Sequence, residues 1–348
     1  MSLVASMRAR ARDVAYRHVG GTALVLVYHR VTQLERDPQL LAVTPGNFDA
    51  QMTLLAKRYS VLPLPELAAG IGSHHVPDRA VAVTFDDGYA DNLLEATPPL
   101  ERHGVPATVF VSSGYVESGR EFWWDEVERI VLGPGTLPET VALETPEASF
   151  SYHLEGQLER TAEVAERDRA WNLLLPDAGP RHNLYRELCD FYRPLAPVNQ
   201  LSALAQLRQA AYADDEPRAT HRPLTAEDVT RLDSSPFVEV GAHTVNHPVL
   251  SARSADEQRI EIGCDKEALE ELCGRPITWF SYPYGKLSDY THETVSIVRE
   301  GGFSGACSNH LGVVKPWTDV HRLPRVTVRD LEASEFAGLL EGWFRAPR

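Results

Sequence analysis

The sequence predicts an α/β fold, a parallel sheet or barrel carrying one helical insertion. Three observations lead there. Apolar β-type runs recur along the chain with helical stretches between them, the alternation of a parallel βα architecture. Two of these runs end in clusters of carboxylates or imidazoles, as expected where strand ends build a site. The βα rhythm breaks once, between about Gly133 and Pro223, where Glu, Ala, Leu and Arg at helical spacing take over.

At 348 residues with 43% hydrophobic content, the chain is long enough for a substantial core in one large domain or two. Its formal charge of −15 argues against nucleic acid as a partner, because phosphate binding needs a basic surface. Residues 1–20 run against that charge, with Arg8, Arg10, Arg12 and Arg17 set among Leu3, Val4, Met7, Val14 and Tyr16. They read as a basic amphipathic leader helix, packed on the domain or in peripheral contact with an anionic membrane. No apolar stretch has the length of a secretory signal or a spanning helix, so the expected location is the cytoplasm or the inner membrane face. Cys189, Cys264, Cys273 and Cys307 form no C-x-x-C pair and are expected to be reduced thiols.

The strand-like runs are Ala23–Tyr28, Ala80–Phe85, Ala107–Val111, Phe237–Val240, Thr278–Tyr282 and Phe303–Cys307. Ser254 and Glu257 form a capping box opening a helix that ends near Cys273, where Gly274 and Pro276 stop it. A helix over Asn92–Arg102 ends likewise at Gly104 and Pro106. In the insertion, Leu158–Leu175 and Val198–Ala211 are the expected helices, and 14 acidic residues and 8 arginines with no lysine lie between Glu139 and His221. Such composition describes a solvated helical subdomain, and insertions after a barrel strand often cover the site's mouth. The domain plan is therefore a leader over 1–20, a core over 21–132 and 223–348, and a cap over 133–222.

The stretch VAVTFDDGYADN (81–92) places Asp86 and Asp87 at the end of a buried run, where ionised side chains cost several kcal/mol unless compensated. One Asp can cap a following helix while Gly88 makes the turn, but that leaves the second idle. A metal ion would occupy it. In FVEVGAHTVNHPVL (237–250), His243 and His247 are four apart, as on zinc-binding helices. The strand-like FVEV before them and Pro248 after them put the pair on a loop leaving a strand instead. Two histidines and a carboxylate, with water in the remaining position, make a catalytic zinc site, and a further carboxylate is then free to take the water's proton.

The joint pattern TFDDG (84–88) followed by H-T-x-x-H-P (243–248) resembles the polysaccharide deacetylase family, also called the NodB-homology or family 4 carbohydrate esterases. The resemblance covers roughly Leu24–Asp125 and Leu224–Val328. It implies a distorted (β/α) barrel that removes acetyl groups from N-acetylated sugars with a divalent metal. By that match Asp86 is the general base, and Asp87, His243 and His247 are the metal ligands. Zinc is the expected ion, with cobalt, nickel or iron also suited to such ligands. WFSYPYG (279–285) resembles the family's aromatic motif, which assigns to the Tyr284 backbone N–H a part in holding the oxyanion.

The sequence departs from the commonest family pattern in two places. Ser281 stands where an arginine usually orients the catalytic Asp, and Arg325 or Arg322 of HRLPR (321–325) is the expected replacement. F-[AS]-Y-P-Y-G together with R-L-P-R marks a subgroup familiar in bacterial surface-polysaccharide loci. The late L-x-H motif that carries the family's general acid has no clear copy, which leaves His321, nearest in order, ahead of His29 at the end of the first strand. Trp123 and Trp124 offer stacking for a sugar ring, or core packing. The expected substrate is an acetamido sugar in a glycan, lipid-linked or nucleotide-linked precursor. The alternatives are a deformylase or other amide hydrolase on the same scaffold, and a sugar-binding module without catalysis.

Overall fold

A computed structural model describes residues 21–345 apart from His74 and Gln157. The basic leader over 1–20 lies outside the described residues.

Seven parallel strands close into a barrel: β1 (Ala23–Tyr28), β2 (Ala80–Phe85), β3 (Ala107–Val111), β4 (Val238–Ala242), β5 (Trp279–Ser281), β6 (Gly305–Leu311) and β7 (Leu323–Thr327). Around the barrel the neighbours run β1-β2-β3-β4-β5-β6-β7 and back to β1, where Leu26 pairs with Val326. β1 lies against β2 in unbroken register from Ala23↔Ala80 to Tyr28↔Phe85. Every residue of β1, β2 and β3 is buried, as expected of strands covered on both faces, which is why they read as continuous apolar runs.

Alternation along the strands separates two cores. Leu24, Leu26, Val81, Val83 and Phe85 join helix residues such as Phe48, Met52 and Leu55 in the outer layer. Ala23, Val25, Ala80, Ala82, Phe110, Trp279, Cys307 and Leu323 fill the inside, closed by Leu64, Leu67 and Ile71 of the Leu64–Gly72 helix. The lumen is small, so its two large rings need glycine opposite them. A Cβ on Gly241 would lie 2.6 Å from the Phe110 ring, and one on Gly305 would lie 2.4 Å from the Trp279 ring.

Five of the strands match the sequence expectation to within one or two residues; β6 runs four residues past the expected Cys307, and β7 was not among the expected runs. The helix over Ala255–Cys273 starts at the predicted capping box and stops at Gly274, whose φ is 65°. Asn92–Ala96 forms a wide π-turn that continues as the α-helix Thr97–His103, again closed by a left-handed glycine, Gly104.

The insertion corrects the expectation of an all-helical subdomain. Thr140–Glu144 and Ser149–His153 form an antiparallel hairpin, and Gly135–Thr136 pairs with Glu159–Arg160. The expected Leu158–Leu175 helix is only Ala162–Arg167. It is broken after Asp168 by turns, in which the Trp171 N–H donates to the Asp168 carbonyl. Pro180–Tyr192 and Pro197–Ala211 supply the true helices. Leu137, Val141, Leu184, Tyr185, Leu188, Tyr192, Leu204 and Leu207 pack with Trp123, Trp124, Val127, Val131 and Leu132, a second core resting on the Trp123–Leu132 helix.

Buried ion pairs fasten the returning segment of the insertion to that helix and to the residues just before it. Arg218 bridges Glu121 at 2.8 Å and Glu128 at 2.6 Å, and both carboxylates are almost wholly buried. Arg218→Ala would strand them without their partner. Removing one member of such a cluster costs about 3 kcal/mol or more, at the low end here because Arg36 still pairs with Glu128 at 2.6 Å. The expected result is a clear drop in the thermal midpoint, read by circular dichroism, and a midpoint unchanged from wild type would refute the coupling.

Candidate active site

The site is assembled at the C-terminal ends of the strands. Asp86 and Asp87 follow β2, His243 and His247 follow β4, Tyr284 follows β5, and His29 follows β1. All six line one cavity of about 390 Å³, together with Trp123, Trp124, Asn309 and Arg329.

The backbone is strained where it turns into the cavity. Asp87, Thr244, His247 and Tyr284 have φ between 56° and 76°, four of the seven non-glycine residues at positive φ among those described. Such angles cost about 1 kcal/mol or more each and persist only where the surroundings impose them. Gly88 follows Asp87 with φ 82°, and a Cβ there would press on Val111 at 3.0 Å. This turn swings Asp87 off the strand toward the imidazoles.

The Asp87 Oδ1 lies 3.5 Å from His243 Nε2 and 3.4 Å from His247 Nε2, with all three groups buried. Those separations are too long for good hydrogen bonds and suit three ligands converging on one cation. The three ligand atoms lie within 4.8 Å of one another, the only such metal-capable group among the described residues. His243 Nδ1 sits 2.7 Å from the Ser281 carbonyl, so Nδ1 carries the proton and the Nε2 lone pair faces Asp87. Burial opposes ionisation of Asp87, yet the two imidazoles outweigh it and keep the carboxylate charged well below the ordinary range. The donor set therefore fits a divalent metal.

Asp265, which sequence reasoning missed, fixes the loop that carries His243. Fully buried, its carboxylate accepts the Ser113 N–H and the His243 N–H, each at 2.8 Å. Its signal was available, since Ile262, Asp265 and Leu269 fall on one helical face and both neighbours are core.

Asp86 has a different setting. Arg325 reaches it from β7 inside the barrel with two parallel bonds, Nη1 to Oδ1 at 2.7 Å and Nη2 to Oδ2 at 2.5 Å. Ser281 Oγ touches the same carboxylate at 3.3 Å and accepts from Arg325 Nη2 at 2.9 Å. Arg325 thus fills in space the role left open by Ser281. Arg322 lies instead over the Tyr290 ring. Burial raises the Asp86 pKa, but Arg325 more than offsets it and Asp86 stays ionised.

Of the two candidate acids, the structure brings only His29 to the site. His321 corrects the expectation based on chain order. It precedes a parallel strand rather than following one, its Nε2 is 3.0 Å from the Phe303 carbonyl, and it lines no part of the cavity. His29 lines the cavity, and burial lowers its pKa against the pull of Asp87 and Asp86.

Trp123 and Trp124 are both buried and both reach the cavity wall, so packing and lining are not exclusive. Trp123 Nε1 donates to the Tyr284 hydroxyl at 3.2 Å and stacks on Tyr192 of the insertion at 5.6 Å. Trp124 Nε1 donates to Tyr89 Oη at 2.9 Å, and that hydroxyl donates to Asp125 at 2.6 Å.

The family model for polysaccharide deacetylase matches residues 73–134 and 206–305. From β2 to β5 the barrel is similar to a polysaccharide deacetylase domain. The unmatched segment from 135 to 205 is nearly the insertion, and β7 with Arg325 lies beyond the second match. The Bacillus subtilis protein YxkH, named as a polysaccharide deacetylase, is 33% identical over 89 residues, 25% of this chain and 30% of that protein's length. Among solved structures, IcaB from Ammonifex degensii aligns with a TM-score of 0.56 at 20% identity, over 94% of this chain and 98% of its own. The Streptococcus pyogenes deacetylase PplD in complex with acetate aligns at 0.53 and 16%, over 92% and 98%. A de-N-acetylase from Aggregatibacter actinomycetemcomitans aligns at 0.55 and 12%, over 92% and 99%. At these identities the likeness is one of fold.

The support behind Trp124 gives a pH prediction. Burial raises the Asp125 pKa to about 7, partly opposed by Arg30 and Tyr89. The folded chain then holds a proton that the unfolded chain has released. The stability from that proton is complete below about pH 4 and is lost as pH rises through 7. In Asp125→Asn the thermal midpoint should fall less between pH 5 and pH 8 than in wild type; parallel pH profiles for the two proteins would rule the shift out.

Proposed function

We propose that the protein is a metal-dependent hydrolase that removes the N-acetyl group of an acetamido sugar, held in a glycan or in a lipid-linked or nucleotide-linked precursor. The observation that carries this reading is the pairing of two carboxylates with different fates. Asp87 stands between two imidazoles, whereas Asp86, its neighbour in sequence, is locked by Arg325 and left ionised beside them.

In this reading Asp87, His243 and His247 would hold the ion, zinc foremost, with cobalt, nickel or iron accommodated by the same donors. When bound, such an ion supplies Lewis acidity, polarising the amide carbonyl and lowering the pKa of water. Asp86 accepts the proton of the attacking water. Its bidentate contact fixes the carboxylate plane and keeps it ionised, the state a general base requires. His29, on the same cavity wall, delivers a proton to the departing amine. The Tyr284 hydroxyl is held by Trp123 and burial keeps its pKa above the ordinary value, so the phenol is a poor acid. Its backbone is the better participant: the positive-φ turn, pinned where the Asn309 N–H donates to the Gly285 carbonyl at 2.7 Å, directs a peptide N–H toward developing negative charge. Trp123, Trp124, Leu41 and Leu173 give the cavity apolar walls against which a sugar ring can lie. Leu173, Cys189, Asp190 and Arg193 bring the 133–222 insertion to the same cavity, supporting its role as a cap.

Two experiments test the assignment. Asp86→Asn should keep one metal per chain by elemental analysis while losing turnover by about 10²- to 10⁴-fold, the usual worth of a general base. The double variant His243→Ala/His247→Ala should lose stoichiometric metal. Full metal content in the double variant, or wild-type turnover in Asp86→Asn, would end the reading. Acetate and formate release, assayed together, separates deacetylase from deformylase.

The acid is tested by pH. A histidine acts as acid only while protonated, so the rate falls as pH rises through its pKa, and burial places that limb lower than for a free imidazole. His29→Ala should reduce kcat by at least about tenfold, spare metal content and erase the alkaline limb. His321→Ala should change neither rate nor profile; the reverse pattern would return the role to His321.

A further inference from the structure

We infer that the cavity carries an anion subsite centred on Arg329, so that the acetamido sugar it takes bears a negatively charged oxygen group, a phosphate ester or a uronate carboxylate. The inference rests on the proposed acetamido-sugar reading and names its substrate class.

Arg329 follows β7 by two residues, on the same barrel end as Asp86, and lines the cavity that holds the Asp87–His243–His247 cluster. The guanidinium is half-buried, and burial lowers its pKa from the ordinary value. A cation so placed is normally paired. Among the described residues Arg329 has no ion pair; Nη1 donates to the carbonyls of Gln39 and Leu40. Those carbonyls are neutral acceptors, and they orient the guanidinium without cancelling its charge.

Two nearby acids are engaged elsewhere. Asp330, the next residue, turns away to accept the Thr44 N–H at 2.9 Å and the Asn47 amide at 2.7 Å. Asp37 spends both oxygens on the N–H groups of Leu41 and Ala42, at 2.9 and 2.8 Å. Leu40 sits between Asp37 and those two N–H groups with φ 57°, a strained backbone that presents its carbonyl to Arg329. The charge of Asp37 bears on Arg329, but no carboxylate among the described residues pairs with it directly, and its donors are preorganised, a fit for a planar or tetrahedral oxyanion.

The rest of the lining agrees. Arg193 is already committed to Asp289 at 2.7 Å, and Asp86 and Asp87 are committed to Arg325 and the imidazoles. Lys286 is exposed and, among the described residues, has no ion pair. Asp190, on the insertion, is the remaining acid of the wall. Arg329 also borders a second cavity of about 420 Å³ lined by Trp171, Asn172 and Thr44, which leaves room beyond the anion for the group it links to.

The test is equilibrium binding to the full chain by calorimetry, run with chelator and again with zinc, so that ion ligation by the probe is seen separately. The probes are methyl N-acetylglucosaminide, N-acetylglucosamine 1-phosphate, UDP-N-acetylglucosamine, a short prenyl-phosphate-linked N-acetylglucosamine and an N-acetylglucosamine–glucuronate disaccharide. At least one charged probe should bind the chelated protein about tenfold or more tighter than the neutral glycoside, with an advantage that shrinks as salt rises. Arg329→Gln should abolish that advantage while leaving the neutral probe unchanged, and Arg329→Lys should restore part of it. Which charged probe binds tightest assigns phosphate or carboxylate, and which carrier. Equal binding of all probes, or a preference that survives Arg329→Gln, overturns the subsite. Because the readout is binding without the ion, equal binding of all probes by a chain that still releases acetate would refute this inference and leave the hydrolase reading standing, whereas a charged-probe preference in a chain without turnover would do the opposite.

Discussion

The site depends on one buried charge pair, Arg325 with Asp86, both essentially without exposure. Removing two charges from water costs several kcal/mol each, and a simple pair seldom recovers it. Here the lumen supplies the remainder. Arg325 Nε donates to the Ser308 carbonyl at 2.9 Å, and Nη1 reaches Thr84 Oγ1, which in turn donates to the Leu26 carbonyl at 2.7 Å. Thr84 and Ser281 meet this network near the C-terminal ends of their strands, and Ser308 and Arg325 meet it at mid-strand. The barrel can be packed with alanine and aromatic residues below because its polar demand is concentrated in one layer above. An unpaired Asp86 there would take up a proton, so the pair is what keeps a deeply buried carboxylate in the basic form.

From that layer outward the structure becomes progressively more strained and then more aromatic. The strand ends turn through positive φ at Asp87, His247 and Tyr284, and rings close over them. His247 lies 4.6 Å from Tyr284 and 5.1 Å from Trp124, ring centre to ring centre. Arg193 of the insertion stacks 4.6 Å over Tyr284 while bonded to buried Asp289. The insertion is therefore joined to the site through two rigid groups, Arg193 on Tyr284 and Tyr192 on Trp123, rather than resting loosely above it. Strain in the turns is tolerable because this layer leaves the rings no alternative position.

Much of this was legible in the sequence, and the failures have physical reasons. Three strands were readable to the residue because both faces are covered, and apolar runs with that pattern have few other solutions. β7 was not, because Pro324 and Arg325 make LPRVT look like a turn. Arg325 points into a lumen that holds the matching carboxylate, a fact fixed only by closure between β7 and β1. The hairpin of the insertion was hidden by Glu, Ala and Leu, good helix formers that tertiary packing overrode, though the exposed–buried alternation of TVALE carried a weak strand signal. Asp87, His243 and His247 were found because a metal-type cluster needs particular residues at particular strand ends.

The misplacement of His321 follows from parallel topology. In such a barrel every strand's start faces one end and every strand's finish the other, so a residue's position in the chain says less than whether it precedes or follows a strand. His321 lies two residues before Leu323, the first residue of β7, and His29 one residue after Tyr28, the last of β1. The same rule favours Arg329, two residues past Thr327, over Arg322 as a group able to face a ligand. Order along the chain put His321 and Arg322 beside the site and left Arg329 unnoticed. Strand polarity places His29 and Arg329 on the same rim, close enough that the charge of Arg329 bears on the His29 imidazole. A cation there disfavours the protonated ring, and an anionic group that screened Arg329 would favour it, so filling the rim with such a ligand would raise the pKa of the His29 imidazole.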